Sequence, residues 1–202
     1  MKETIIFDQP QDKIIYGILG DTYIFANERE VEVQEPVMEM GEEGMETAAE
    51  PRVVTKYEYD VRHFPLADKT EAGALAALKE QITAELMAFD SGLYATYGDE
   101  AVNDFTINGM HIWLDKETRN GLRLRFDSQK ALGQTETTLW YDIVPLPLQI
   151  DAASAMLYQL ENYASACFDR TASHRQAITA LTSIDDVFNY DYKAGYPDHL
   201  SF

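Results

Sequence analysis

The sequence predicts an α+β fold: an N-terminal β-hairpin/strand element, then a ββαβα module with helices packed on a small sheet and a long C-terminal helix. Three observations lead there. Early segments rich in β-branched and aromatic residues are bounded by turn pairs. An Asn-Gly pair sits between two short apolar runs at residues 105–113. A single apolar stripe at helical spacing continues for nearly 30 residues after Asp151.

The first element is a hairpin, residues 13–19 against 22–26, turning at Gly20-Asp21. The composition then changes. Residues 28–50 hold nine acids and one base (Arg29), together with Met38, Met40 and Met45 and the turn residues Pro36, Gly41 and Gly44. Past Val33 no period is visible, so residues 35–52 are expected to be an acidic mobile loop or linker. Its glutamates do not follow the alternating ligand pattern of a calcium loop. The expected organisation is a β element over 1–34, this linker over 35–52, and an α+β module over 53–202.

Within that module, residues 53–64 alternate and predict a strand ended by Pro65. Asp68 and Glu71 have capping-box spacing, opening a helix through Ala74, Leu75, Leu78, Ile82, Leu86 and Phe89 to Ser91-Gly92. Asn108-Gly109 predicts a tight hairpin, since both central residues take φ > 0. Asp115 caps a helix over residues 116–132 that stops at Gly133. Residues 137–144 read as one strand, leaving the sheet or lying at its edge at Pro145 and Pro147. Asp151 is expected to cap the long helix, whose stripe runs from Met156 through Leu160, Cys167, Phe168 and His174 to Leu181. Ser183 and Asp186 open a short last helix.

Charge excludes some partners. Sixteen Lys+Arg against 35 Asp+Glu leave a formal −19. Affinity for nucleic acid comes from neutralising phosphates, and anionic lipid attracts basic segments, so neither is an expected partner. No window approaches a membrane span. The first eight residues meet an acid before an apolar core forms, so no secretory signal is expected and the chain is expected to be made in the cytoplasm.

The chemical inventory is thin. There is no nucleophile elbow, phosphate-binding glycine loop or zinc-protease motif. No metal or other cofactor is expected. His111, with Asp115 four positions on, lacks further ligands. Cys167 and His174 share a helix stripe, but seven residues of rise, about 10.5 Å, preclude direct proton transfer. Asp142 beside Trp140 and Tyr141 is the best placed carboxylate for glycan chemistry. One helix runs against the overall charge. Residues 116–132 carry Lys116, Arg119, Arg123, Arg125 and Lys130 against two acids, so Arg119, Arg123 and Arg125 form a candidate interaction surface for an acidic partner.

Several stretches together resemble an uncharacterised domain family of Bacteroides-type phages and prophages. They are residues 102–109 (VNDFTING), 113–119 (WLDKETR), 137–141 (TTLWY), the helix from Met156 to Cys167, Thr171 with His174, and the ending 190–202. The resemblance covers about residues 90–202, more loosely back to Val53. It implies a tail-fibre or tail-associated protein without catalytic activity, association with the virion, and other tail proteins or a second copy as partners. The family's signature positions here include Trp113, Asp115, Trp140, Leu160, Tyr163, His174, Tyr196 and Pro197. Trp113, Trp140, Leu157, Leu160 and Phe168 are expected in the core, Asp115 as a cap, and the tyrosine-rich tail folded over the long helix. The N-terminal β element lies outside the shared pattern and reads as an arm that packs on a partner or neighbouring copy. The competing expectation is a small carboxylate-dependent hydrolase, or a carbohydrate-binding module with exposed aromatics.

Overall fold

The computed structural model describes residues 2–17, 20–40, 46–65, 68–141 and 143–202. The fold is α+β, with strands at the N-terminus and a long helix near the C-terminus. It divides into two compact units, and the division differs from the expected one. The first unit is Met1–Glu80 with Thr182–Asn189; the second is Gln81–Leu181 with Tyr190–Phe202.

The first unit is built on an antiparallel sheet of β1 (Lys2–Phe7), β2 (Ile14–Tyr16), β3 (Asp21–Met40) and β4 (Glu46–Pro65), in the order β1-β4-β3-β2. The early hairpin pairs Ile14 with Ile24 and Tyr16 with Thr22, and Gly20 takes φ 92°. Ile18 and Leu19, expected in its first strand, lie outside the described residues.

Residues 35–40 and 46–52 are strand rather than linker. Pairing runs from Asp21↔Pro65 out to Met40↔Glu46, with breaks in register after Ala26 and Glu35. Residues 41–45 lie outside the described residues. Composition misled here because acids alternate with apolar residues: Val31, Val33, Glu35 and Val37 share a half-buried face. Pro36, which has no N–H to donate, falls at a register break where none is needed.

Asn27 takes φ 55° at the first break and turns its amide onto Asp60 and Asn189. One sheet face carries an edge-to-face aromatic cluster of Phe7, Phe25 and Tyr59 with Val61. The Lys2 amine and the Arg62 guanidinium lie over Phe188, each 5.5 Å from the ring centre. That phenylalanine belongs to the short helix Ile184–Phe188, α5 below, whose N-cap is Ser183.

Helix α1 (Glu71–Asp90) buries Ala74, Leu78, Ile82, Leu86 and Phe89. Its cap is Thr70 rather than Asp68: the Thr70 hydroxyl accepts from Gly73 N–H at 3.0 Å and its carbonyl accepts from Ala74.

In the second unit, α2 (Tyr94–Tyr97) and a 3-10 turn lead to a hairpin of β5 (Phe105–Ile107) and β6 (Met110–Ile112). Asn108 and Gly109 take φ 50° and 77°, the geometry of a two-residue turn. Helix α3 (Lys116–Ala131) is capped by Asp115, which accepts from Thr118 N–H at 2.7 Å. β7 (Glu136–Tyr141) and β8 (Val144–Gln149) form a hairpin where one strand was expected. Pro145 and Pro147 are accommodated because a two-stranded sheet has only edge strands.

Helix α4 (Ile150–Ala180) has Gln149, not Asp151, at its N-cap; Asp151 sits in the first turn and pairs with Lys130 at 2.6 Å. After α5 (Ile184–Phe188), β9 (Leu200–Ser201) joins β5 in parallel. The core gathers Phe105, Phe126, Ile150, Leu157 and Leu160. Two expected core residues are outside it: Trp140 is 65% exposed and Phe168 is 70% exposed. Phe168 follows Cys167 by one residue, about 100° around the helix, and the buried stripe runs through Tyr163, Cys167 and Thr171 without it. Trp113 is half-buried against the core.

Candidate functional site

Beyond the sheet, β3 and β4 continue alone. β1 pairs β4 only over residues 57–62, and β2 pairs β3 only over 22–24. From Val31↔Lys56 to Met40↔Glu46 the two strands pair only with each other among the described residues, a ribbon of about 33 Å at roughly 3.3 Å per residue. Opposed residues share a face. Val31, Val33, Glu35 and Val37 lie with Lys56, Val54 and Arg52; Glu30, Glu32, Gln34 and Pro36 lie with Tyr57, Thr55 and Val53. The first face is mostly half-buried, the second mostly exposed. Lys56 ties the first face, its amine 2.6 Å from Glu35 and 3.0 Å from Asp8; these bonds raise its pKa.

The ribbon's root is a charge network. Asp60 is buried and accepts from Asn27 (2.7 Å), Lys2 (2.9 Å) and Arg29 (3.0 Å). Burial alone would raise its carboxyl, but these three bonds win and hold it well below the usual carboxylate range. Arg29 also pairs with Glu58 at 2.6 Å.

The candidate arginine surface is only partly present. Arg119 is buried, donating to Glu161 at 2.8 Å and to the Leu114 carbonyl at 2.7 Å, with its guanidinium 5.6 Å from the Trp113 ring centre. It is an internal strut and not a docking residue. A helical wheel groups it with Arg123, yet Arg119 lies in the first turn, within reach of Leu114 and α4. Arg123 and Arg125 are exposed, and Arg125 donates to the Thr138 carbonyl at 3.0 Å. Close in sequence is an apolar hairpin tip: Trp140, Tyr141, Val144 and Ile143, the last 81% exposed. Asp142, the candidate carboxylate, lies outside the described residues.

A pocket of about 540 Å³ opens beside β6, with Tyr94, Trp113 and Tyr141 as aromatic walls and Asn103, Asp104, His111 and Asp115 as polar groups. Asp104 is buried, and its Oδ2 lies 2.7 Å from His111 Nδ1. Its Oδ1 has no hydrogen-bond partner among the described residues. The Tyr94 ring stacks on the imidazole, 3.4 Å between centres and 12° between planes. Sequence spacing suggested Asp115 as the partner of His111. Hairpin register held the better signal: His111 opposes Thr106, so residue 104 is its diagonal neighbour on the same face. Asp115 instead spends its carboxylate on the helix cap, and bonds from Thr118 lower its pKa.

The other signature residues brace the core. Tyr163 donates to the Val102 carbonyl at 2.8 Å, and burial raises its pKa strongly. Burial pushes the Cys167 thiol up to about 11, which makes it a poor nucleophile. His174 has both nitrogens engaged, Nδ1 with the Tyr190 hydroxyl (2.7 Å) and Nε2 with the Ala194 carbonyl (3.0 Å), and burial lowers its pKa. Tyr196 stacks on His174 and shares a hydrogen bond with Thr171, while Pro197 lines a shallow recess beside it. These contacts fold the tail over α4. Leu160 is fully buried.

No group of three or more metal-suited side chains occurs among the described residues. No helix there is long and apolar enough to cross a membrane. No protein-family model, curated protein or solved structure matches the chain.

Proposed function

We propose that this protein is a non-enzymatic structural or assembly component that acts through protein–protein contacts and, following the resemblance of residues 90–202, is associated with a phage or prophage tail. The observation that carries this reading is the β3–β4 ribbon. A two-stranded hairpin is marginally stable in water by itself, and its outer edges offer unpaired backbone N–H and C=O groups. Such a ribbon gains most when another strand or surface covers it. The partner is a neighbouring copy of the chain or another tail protein; nucleic acid and anionic membrane are disfavoured by the charge of −19. On this reading the protein is made in the cytoplasm and joins the virion.

Light scattering tests the reading, run with backbone amide exchange on the free protein and with co-expressed tail proteins. We expect an oligomer or a complex in which residues 31–37 are protected, and loss of that species in Val33→Asp with Val54→Asp. A monomer at every concentration, with unprotected ribbon amides and no complex, would sink the proposal.

One observation favours a second reading, a carbohydrate-binding module. Aromatic walls and acceptor groups in the His111 pocket suit a neutral sugar, whose ring stacks on aromatics and whose hydroxyls donate to carboxylates. A hydrolase using Asp104 and Asp115 fits less well, since Asp104 is held by His111 and Asp115 by the helix cap.

A further inference from the structure

A different cavity of the second unit lies between α3 and the β5–β6 and β7–β8 hairpins. It has about 200 Å³ of space. Its inner wall is Phe105, Ile107, Ile112, Leu139 and Leu146, all buried core residues. Among its described lining residues a single one is charged, Arg125 on α3. We propose that this slot binds a small amphiphilic carboxylate, with an aromatic ring or short alkyl chain in the apolar part and the carboxylate on the Arg125 guanidinium.

The size fits such a group. An apolar protein cavity of about 150 Å³ stays dry and accepts a benzene ring, so this slot has room for one ring or a chain of comparable bulk. The polar end is equally specific. Arg125 spends one N–H on the Thr138 carbonyl at 3.0 Å, which positions the guanidinium while leaving the rest of its fork for a planar anion. The other polar side chain with a hydroxyl near the helix start, Thr118, is already engaged with Asp115. An amine would be repelled by Arg125. An alcohol would gain only a neutral hydrogen bond, weaker than the charge-assisted pair a carboxylate makes.

The inference also accounts for two features that the assembly reading leaves unused. On α3, Arg119 and Lys130 spend their charge on Glu161 and Asp151, whereas Arg123 and Arg125 stay exposed, and it is there that an anion would be tolerated. Trp140 lines the slot although most of its surface faces solvent, as expected of a wall that a ligand would complete. This proposal stands independently of the assembly reading.

The full-length protein is titrated with octanoate, benzoate, octanol and octylamine, following tryptophan fluorescence and the thermal midpoint at matched ligand concentration. We expect saturable binding of the two carboxylates, about tenfold tighter than octanol, with no response to octylamine. Arg125→Gln, a substitution at an exposed position, should abolish the tenfold preference and keep the octanol response. Leu122→Phe narrows the slot and should weaken all ligands, with circular dichroism reporting whether that variant folds. Absence of any carboxylate response overturns the proposal. So do equal affinities for octanoate and octanol, or carboxylate binding that Arg125→Gln leaves unchanged.

Discussion

The ribbon of the first unit and the core of the second both consist of alternating or periodic apolar residues, yet they are held differently. In the second unit, Phe105, Leu139 and Leu160 are enclosed by strands and helices from more than one side. In the ribbon, Val31, Val33 and Val54 have one partner strand and stay half-exposed, and the side-chain ties are ion pairs such as Lys56–Glu35. Apolar burial contributes roughly 25 cal/mol per Å² removed from water, whereas ion pairs still open in part to solvent contribute little. The lesson is that the second unit is a body stabilised by its own packing, and the ribbon is a surface whose order depends more on what meets it.

The largest test of this contrast is Leu160→Ala. Leu160 is fully buried at the centre of the α4 stripe, so truncation should cost about 2–5 kcal/mol in chemical denaturation. A loss below about 1 kcal/mol would mean that the second unit is not held by this core. An intermediate effect is expected at α3. Arg119→Ala removes two part-buried hydrogen bonds, to Glu161 and to the Leu114 carbonyl, at a cost of about 1–3 kcal/mol. Arg123→Ala should stay within about 0.5 kcal/mol. Equal effects in melting experiments would return Arg119 to the surface.

The smallest effects separate the units by pH. The folded pKa of His174 is lowered by burial, so the unfolded chain takes up that proton first and stability falls as pH drops through about 6.5. The folded pKa of Asp60 is lowered too, so its contribution is full above the unfolded carboxylate value and is lost only as pH falls below about 4. Unfolding followed by amide exchange from pH 8 to 3 should show the second unit weakening first. His174→Gln should flatten the upper part of that profile; an unchanged profile would remove His174 as its cause.

Legibility along the chain follows how local each cause is. Asn108-Gly109, Asp115 and Ser183 were readable because a turn or cap depends on residues within a few positions of it. The same local logic failed at Asp68, where Thr70 lay closer to the helix start. In residues 35–40 and 46–52, composition hid two strand segments, each the other's partner across the β3–β4 ladder. The His111–Asp104 pair was recoverable from the hairpin register, while the apolar slot was not, since it is walled by three separated segments.

Sequence alone therefore determined the α+β class, the tight β5–β6 turn, the buried faces of α1 and most of α4, and a charge that disfavours polyanions. These depend on periodicity, φ preferences and net charge, which need no knowledge of distant neighbours. Tertiary structure decided which arginine is buried, that Trp140 and Phe168 face solvent, how far β3 and β4 run together, and where the pockets lie. Each of those outcomes depends on which surfaces meet. A side chain's periodicity names the face it shares with its neighbours, and only packing decides whether anything covers that face.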